Sequence, residues 1–507
     1  MKKSDYVYFK FPKDINQRLK DLKTKNPDYW ENLARKKVIE FVNFTIKNVP
    51  AYRKFLLRNN IKLSSLHNID EFNQLPFTNK KNYLRYFSFN QLIPNNFRDK
   101  ITTFSSTSGS TGEPFYIPRG ENEDSQYEYI AELFLKNQFS LDNKRTLAIN
   151  GFGLGIWIGG IFTHKAFNKI SSKGYPLALA PVGVNKETFL KTFTRLAENF
   201  DQIILMGYPP FIKDILDEGP EYDINWKRFN LRIVTAAEGF SETFRDYLVK
   251  KTNINNRFND IINIYGSVEL GTMAHETPLT NLIRKKAVEN KNVFKKLFPE
   301  TNLQPTLAQF HPYLTFFEEQ RGEIFATGFG SLYPLVRYQF FDKGGVIAFD
   351  KMLYHLKELG IDILEEAKKE SIINTIQKLP FVYVCERSDL VVHLYGINIF
   401  PEFIKTALMN PGLEKIVTGK FTMEKTEGKD LEEILNLHVE LRKGIKQKKI
   451  HIVLIQKYIV ENLINCSTEY RHLSQTNGDK IKPNIALHSY QDQHYFGSSI
   501  KQRWIKK

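Results

Sequence analysis

The segment Ser105–Pro114 has residue types that suit the binding of a phosphate chain. Its sequence, SSTSGSTGEP, places Gly109 and Gly112 among small hydroxyl residues. Glycine permits turns with positive φ, and successive N–H groups and hydroxyls in such a loop can surround phosphate oxygens. No Gly-Lys-Ser/Thr sequence follows, so the segment is not a Walker loop. The alternative is a linker, because Ser/Gly-rich segments also connect domains.

Two further segments combine side chains that could contact a nucleotide. Tyr265 and Glu269 follow an apolar run, and an aromatic ring beside a carboxylate suits a nucleotide and its metal ion. The alternative is a core tyrosine and a surface glutamate. Asp342 is an acceptor-only carboxylate that can take two hydrogen bonds, although a turn before Lys343-Gly344-Gly345 would also explain it.

The elements around these segments alternate between strand and helix. The runs QIILMG (202–207), LRIVTA (231–236) and DIINIYG (260–266) predict buried strands. Residues 188–200 have the apolar spacing of a helix, and Ser241 suits the N-cap of a second one. Such β–α–β units predict a mainly parallel sheet with helices on both faces. Ligands then bind beyond the carboxyl ends of the strands, in the loops after 207, 236 and 264.

The whole chain predicts an α/β protein of two domains, because 507 residues exceed one ordinary core. We expect a large N-terminal domain over residues 1–386, with a helical lead-in at 1–100. Residues 353–376 form an amphipathic helical stretch with a break at Gly360. A small α+β domain is expected over residues 387–507.

Composition excludes several classes of protein. The net charge is +16, but the lysines are scattered, so we expect no nucleic-acid partner. No apolar run approaches the roughly 20 residues of a transmembrane helix, and no apolar core follows the basic N-terminus, so neither a transmembrane segment nor a secretory signal is expected. Cys385 and Cys466 are too few for a disulfide framework, which predicts a cytoplasmic protein.

Thr107–Pro114 resembles the signature loop of the adenylate-forming superfamily, which includes the acyl-CoA synthetases and phenylacetate–CoA ligases. The resemblance implies that the loop closes on the β- and γ-phosphates of ATP. Many members have a lysine beside the proline, whereas this chain has Glu113 and Phe115. The residues assigned to nucleotide binding on this ground are Ser105, Thr107, Ser108, Gly109, Ser110, Thr111 and Gly112.

Tyr265-Gly266-Ser267-Val268-Glu269 is similar to the superfamily motif Tyr-Gly-x-Thr-Glu. The resemblance implies that Tyr265 packs on adenine beside Gly266 and that Glu269 holds Mg²⁺ and contributes to catalysis. The motif threonine is Val268 here, which removes one expected phosphate contact.

Tyr333–Asp342 resembles the phenylacetate–CoA ligase stretch Pro-Leu-x-Arg-Tyr-x-x-x-Asp. The resemblance implies that Asp342 accepts hydrogen bonds from both ribose hydroxyls and that Arg337 belongs to the nucleotide site.

Glu386-Arg387-Ser388-Asp389 and the following Tyr395–Pro401 resemble a hinge motif, with Glu386 in place of its glycine. The resemblance implies that Arg387 contacts the AMP phosphate and that the C-terminal domain is mobile about Asp389. By itself, an Arg-x-Asp sequence is usually a surface ion pair.

Lys501 lies in the glycine-led segment Gly497–Trp504, where the superfamily has a catalytic lysine. An ammonium there would neutralise charge that develops during adenylation. Lys480, Lys506 and Lys507 compete for this assignment. The segments 49–53 and 75–78 resemble the phenylacetate-ligase branch, and the long insert at 345–380 is closer to capsule-biosynthesis (CapK-like) proteins.

The resemblance implies the reaction of a small-molecule carboxylic acid with ATP to give an acyl-AMP and pyrophosphate. We expect the acid among Phe152, Gly153, Trp157, Tyr208, Ala237 and Glu238. CoA is the expected acyl acceptor. The alternatives are transfer to an amine or hydroxyl of a sugar, and a non-catalytic relative that binds a nucleotide. A homodimer is one expected assembly.

Overall fold

The computed structural model describes residues 14–106, 115–299, 301, 303–387, 391–395, 397–427, 433–496 and 504–506. The described residues fall into two compact units. The first comes from residues 1–239, 248–300 and 305–384, and the second from residues 240–247, 301–304 and 385–507. The boundary predicted at residue 386 and the mobility expected of the C-terminal domain stay predictions.

The first unit is a large sheet surrounded by helices. The helices up to residue 369 are α1 (Ile15–Thr24), α2 (Pro27–Asn48), α3 (Pro50–Arg58), α4 (Ile69–Asn73), α5 (Phe89–Leu92), α6 (Glu121–Phe139), α7 (Ile158–Ser171), α8 (Lys186–Leu196), α9 (Pro209–Glu218), α10 (Glu242–Thr252), α11 (Pro278–Glu289), α12 (Lys291–Leu297), α13 (Phe349–Glu358) and α14 (Ile363–Lys369). Residues 240–247, at the start of α10, are grouped with the second unit. The strands are β1 (Thr103–Ser106), β2 (Tyr116–Arg119), β3 (Thr146–Asn150), β4 (Leu177–Pro181), β5 (Gln202–Gly207), β6 (Leu231–Ala236), β7 (Ile261–Ser267), β8 (Gly271–His275), β9 (Thr306–Phe310), β10 (Thr315–Gln320), β11 (Glu323–Gly328), β12 (Tyr338–Ile347) and β13 (Phe381–Arg387).

Eleven strands form one sheet in the order β10-β11-β12-β13-β9-β8-β7-β6-β5-β3-β4. The block β4-β3-β5-β6-β7 is parallel, with Leu205 opposite Ile149 on one side and Ile233 on the other. Beyond this block the pairing becomes antiparallel: β8 is antiparallel to both of its neighbours, β7 and β9. The predicted α/β fold class is confirmed, and the antiparallel half is an addition to it.

Two buried clusters pack against different parts of this sheet. One buried cluster contains residues of α6, α7 and the strands β3, β5, β6 and β7, and another contains residues of α2, α3 and the strands β8–β13. The apolar face predicted for α8 is buried, since Phe189, Leu190 and Phe193 are fully buried. All six residues of β5 are buried, as a strand covered on both faces requires.

The second unit is a small α+β structure. Its elements are β14 (Val392–Leu394), β15 (Ile397–Ile399), α15 (Pro401–Leu408), β16 (Val417–Glu427), β17 (Glu433–Leu441), α16 (Lys449–Cys466), α17 (Thr468–Asn477), β18 (Asn484–His488) and β19 (Ile505–Lys506). Four strands pair in the order β18-β17-β16-β19. Across all of the described ranges, no helix combines the length and the apolar character needed to cross a bilayer.

Candidate functional site

The carboxyl ends of β3, β5, β6 and β7 bring the predicted loops to one edge of the sheet. These four strands are parallel neighbours, so the residues that follow them must lie side by side. Gly151 follows β3, Tyr208 follows β5 and Ala237 follows β6, while Tyr265 lies near the end of β7. The structure thus brings together at this edge several residues that were predicted from separate motifs.

Tyr265 and Asp342 are in direct contact. The Tyr265 hydroxyl donates a hydrogen bond to Asp342 Oδ2 at 2.6 Å, although the two residues are 77 positions apart. The Tyr265 ring also lies nearly parallel to Phe317, with 6.2 Å between ring centroids. An ionised carboxylate has about four lone-pair sites, so one donor from Tyr265 leaves Asp342 able to accept further hydrogen bonds.

A bulge in β12 carries Asp342. Glu323 of β11 is opposite Lys343, whereas Phe325 is opposite Gln339, so β12 has two more residues than β11 in this interval. Bulges redirect side chains at a sheet and are common next to functional sites. Phe341, within the bulge, has φ of +66° and is 38% exposed. A bulky residue in this conformation is strained, and such strain persists where surrounding contacts impose it.

Glu269 lies on the turn between β7 and β8. Its Oε1 accepts a hydrogen bond from the Tyr338 hydroxyl at 3.4 Å, and its backbone carbonyl accepts one from Ser331 at 3.3 Å. At Gly266, a Cβ would lie 2.6 Å from the carbonyl oxygen of Gly271. Only glycine allows this approach, which tightens the turn that carries Glu269.

The described residues contain no group of three or more His, Cys, Asp or Glu side chains arranged for a metal ion. Glu269 by itself offers one carboxylate to a metal ion. That donor set fits Mg²⁺, which usually binds through one or two carboxylates together with the phosphates of a substrate.

The hairpin β1–β2 carries the two ends of the predicted phosphate loop. Ser105 pairs with Ile117 and Ser106 with Tyr116. The Ser106 N–H donates to the carbonyl of Ile156 at 3.0 Å, so the end of β1 touches the glycine-rich turn after β3. The other residues assigned to this loop, Thr107, Ser108, Gly109, Ser110, Thr111 and Gly112, lie outside the described residues.

Arg337 is buried, and its guanidinium contacts the helical lead-in. It pairs with Glu318 at 2.9 Å and donates to the carbonyls of Asn73 and Leu75, both at 2.5 Å. Its Cζ also lies 4.3 Å from the Phe77 ring centroid. These contacts fix the segment before Asp342 to residues 72–77. Arg337 was predicted as a nucleotide contact, and the structure places its charged group on protein partners instead.

The residues proposed for the acid pocket separate into buried and accessible ones. Phe152 belongs to the core cluster and is only 4% exposed, so its ring serves packing. Gly153 is also buried, and its carbonyl accepts from the Gly160 N–H at 3.1 Å. Trp157 and Tyr208 are half-buried and precede the first turns of α7 and α9. Trp157 and Tyr208 are thus partly exposed members of this group at the edge of the sheet.

A buried asparagine, absent from the sequence-based prediction, holds the turn after β6. Asn263 donates to the backbone carbonyl of Glu238 at 3.0 Å and accepts from the Thr235 hydroxyl at 2.9 Å. Ala237 is exposed and has φ of +76°, a strained conformation for a residue with a Cβ. The sequence did contain a signal for this role: Asn263 is a polar residue inside the apolar run DIINIYG, and a buried polar group requires hydrogen-bond partners.

Three predicted residues have side chains that fall outside the described part. The backbone of Arg387 ends β13, but Asp389 and Lys501 belong to ranges that are not described. Of the competing lysines, Lys480 lies in a short 3-10 turn, and Lys506 pairs with Glu424 at 3.2 Å. The assignments of Arg387, Asp389 and Lys501 stay predictions.

No protein-family model and no curated protein sequence matches the chain. Solved structures do match. A 2-hydroxyisobutyryl-CoA ligase in the postadenylation state with R3-HIB-AMP has a TM-score of 0.65 at 12% identity, over 93% of this chain and 89% of the ligase. The acyl acid amido synthetase AtGH3.15 in complex with 2,4-DB has a TM-score of 0.61 at 14% identity, over 97% of this chain and 94% of the synthetase. At these identities the likeness establishes a shared fold.

Proposed function

We propose that the protein activates a carboxylic acid with ATP, forming an acyl-AMP and releasing pyrophosphate. The observation that carries the proposal is the contact between Tyr265 and Asp342 at 2.6 Å. Tyr265 and Asp342 belong to two separate motifs, and each motif independently resembles a nucleotide-binding sequence. The two residues meet at the carboxyl edge of a sheet, in a protein that shares the fold of an acyl-AMP-forming enzyme. Their meeting supports one adenosine site in preference to two unrelated motifs.

In the proposed complex, the adenine lies beside the Tyr265 ring and the ribose hydroxyls donate to Asp342. The hairpin β1–β2 directs the phosphate chain toward the end of β7, with Ser105 near the loop base. Glu269 would hold Mg²⁺ together with the phosphates, where the ion neutralises charge on the leaving pyrophosphate. Arg337 acts indirectly, because its contacts with Asn73 and Leu75 fix the strand that precedes Asp342.

Acyl-AMP formation requires no covalent bond to the enzyme. The carboxylate of the acid attacks the α-phosphorus in line with the departing pyrophosphate, so catalysis consists of positioning and charge neutralisation. We assign Arg387 and Lys501 to the charge on the α-phosphate and the reacting oxygens, as the motif resemblance implies. The acid would lie between Trp157, Tyr208 and the Ala237–Glu238 turn.

The second step is the transfer of the acyl group, with CoA as the first candidate acceptor. The ligase neighbour makes a CoA ester, and this chain spans most of its length. An amine acceptor is the second candidate, because a synthetase that forms acyl amides shares the fold to a similar degree. A sugar amine, as the CapK-like resemblance implies, belongs to this second class of acceptor, whereas a sugar hydroxyl is a third candidate and would give an ester.

A pyrophosphate-release assay tests the proposal. The purified protein is given ATP, Mg²⁺ and a panel of aryl, fatty, hydroxy and amino acids, first without and then with CoA or an amine. We expect at least one acid to give acyl-AMP, detected by mass spectrometry, and one acceptor to raise turnover. Nucleotide binding without pyrophosphate release from any acid would support the non-catalytic alternative and refute the proposal.

A further inference from the structure

Arg119, at the end of β2, is a buried arginine at the junction of the proposed nucleotide segments. Its side chain is 2% exposed. The guanidinium donates to the backbone carbonyl of Val268, pairs with Glu123 at 3.1 Å and lies 3.4 Å from the Ser105 hydroxyl. One side chain thus contacts the strand that leads into the phosphate loop and the turn that carries Glu269.

Glu123, in the first turn of α6, holds the guanidinium in place. Its second oxygen accepts from the Gly120 N–H at 3.2 Å, and its carboxylate also contacts the Ser331 hydroxyl. Ser331 in turn is 3.3 Å from the backbone carbonyl of Glu269. Burial raises the pKa of the Glu123 carboxyl to about 7, even though the charge of Arg119 and the hydrogen bonds from Gly120 and Ser331 act to lower it. The contact with Arg119 thus opposes the effect of burial and favours the ionised carboxylate.

The turn after β7 is packed directly on this pair. Gly271 has φ of +72°, and a Cβ there would lie 3.3 Å from the Phe162 ring and 3.7 Å from Arg119 Nη1. The Arg119 Cζ is 5.6 Å from the centroid of the same Phe162 ring. The guanidinium thus lies between a ring, a carboxylate and a carbonyl, with little space to move.

We propose that Arg119 is a positioning residue for ATP, which fixes the Tyr265–Glu269 segment against the β1–β2 hairpin, with Glu123 orienting its guanidinium. This inference rests on the proposed function for the identity of the nucleotide. Arg119 does not touch the nucleotide, because its side chain is buried; it sets the distance between the groups that do. A guanidinium spreads five donors over three nitrogens and can reach partners on different sides, whereas the three donors of a lysine ammonium lie on one atom.

Arg119→Lys and Glu123→Gln test this role, since each retains most of the side-chain volume. We expect the KM for ATP to rise at least tenfold in both variants, while the KM for the acid stays within twofold of wild type. A merely structural role would lower the active fraction, and hence kcat, without changing either KM. Lys136→Gln is the matched control: it removes a 2.6 Å ion pair with Asp142 from α6, the helix that carries Glu123, but 13 residues further along it.

Amide hydrogen exchange of the ligand-free protein gives a second measurement that does not depend on activity. In Arg119→Lys, peptides covering 265–272 should exchange at least tenfold faster than in wild type, with no change in Lys136→Gln. An unchanged KM for ATP, or unchanged exchange over 265–272, overturns the positioning role. A wild-type protein that releases no pyrophosphate overturns the proposed function instead, and the exchange result then decides the inference alone.

Discussion

Replacement of Asp342 by alanine should remove most of the affinity for ATP. In the proposed complex the carboxylate accepts from both ribose hydroxyls, and hydrogen bonds to a charged group contribute about 1.5–3 kcal/mol each. Loss of both would weaken binding by at least about 3 kcal/mol, which corresponds to a Kd raised about 100-fold or more. Tyr265→Phe should raise the Kd for ATP only about fivefold, because this substitution removes only the hydroxyl that orients the Asp342 carboxylate through a 2.6 Å hydrogen bond.

Isothermal titration with ATP and with 2′-deoxy-ATP separates this role from general damage. Wild-type protein should bind the deoxy nucleotide more weakly, whereas Asp342→Ala should bind both nucleotides equally. Asp350→Ala is the control, since Asp350 is an exposed residue in the first turn of α13. Wild-type affinity for ATP in a folded Asp342→Ala protein, or continued discrimination between the two nucleotides, would refute the assignment.

Three further predictions concern catalysis and stability. Lys501→Ala should slow acyl-AMP formation about 100-fold, a loss of about 3 kcal/mol, while ATP binding stays intact; an equal loss in the second half-reaction, or the same loss in Lys480→Ala, would contradict this. Arg337→Met should lower the free energy of unfolding by about 3–5 kcal/mol, because it leaves the buried Glu318 carboxylate without its partner; a change below about 1 kcal/mol in urea titration would contradict this. Burial lowers the pKa of His275 to about 4 from an unfolded value of 6.5, so the unfolded state binds the proton first and stability should fall from about pH 6.5 down to pH 4. The loss should reach about 3 kcal/mol, and a His275→Gln protein with the same pH profile as wild type would exclude this cause.

The elements of the parallel block could be predicted because their signals are local. The runs 202–207 and 231–236 coincide with β5 and β6 as observed. The helix predicted over 188–200 begins earlier, at Lys186, because the Asn185 side chain caps it by accepting from the Thr188 N–H at 2.8 Å. The break predicted at Gly360 is confirmed, since α13 ends at Glu358 and α14 starts at Ile363.

The contacts that the sequence did not reveal depend on residues far apart in the chain. Arg119 and Val268 are separated by 149 positions, and Arg337 and Leu75 by 262. An arginine is ordinarily an exposed residue, so composition and spacing do not indicate that either would be buried. The bulge that displaces Asp342 was equally hidden, because a bulge is defined by the register of two strands and not by one strand's pattern.

The hydrogen bonds of Thr78 have a consequence for synthesis on the ribosome. Its hydroxyl donates to the Val336 carbonyl at 2.7 Å across 258 positions, and its N–H and carbonyl pair with Arg337 and Gln339. Translation at about 5–20 residues per second would place about 13–50 seconds between the emergence of the two partners. During that interval Phe77 lacks Phe325, on which its ring finally stacks at 3.9 Å. The nascent lead-in therefore exposes apolar surface that chaperones could bind before residues 325–339 are synthesised.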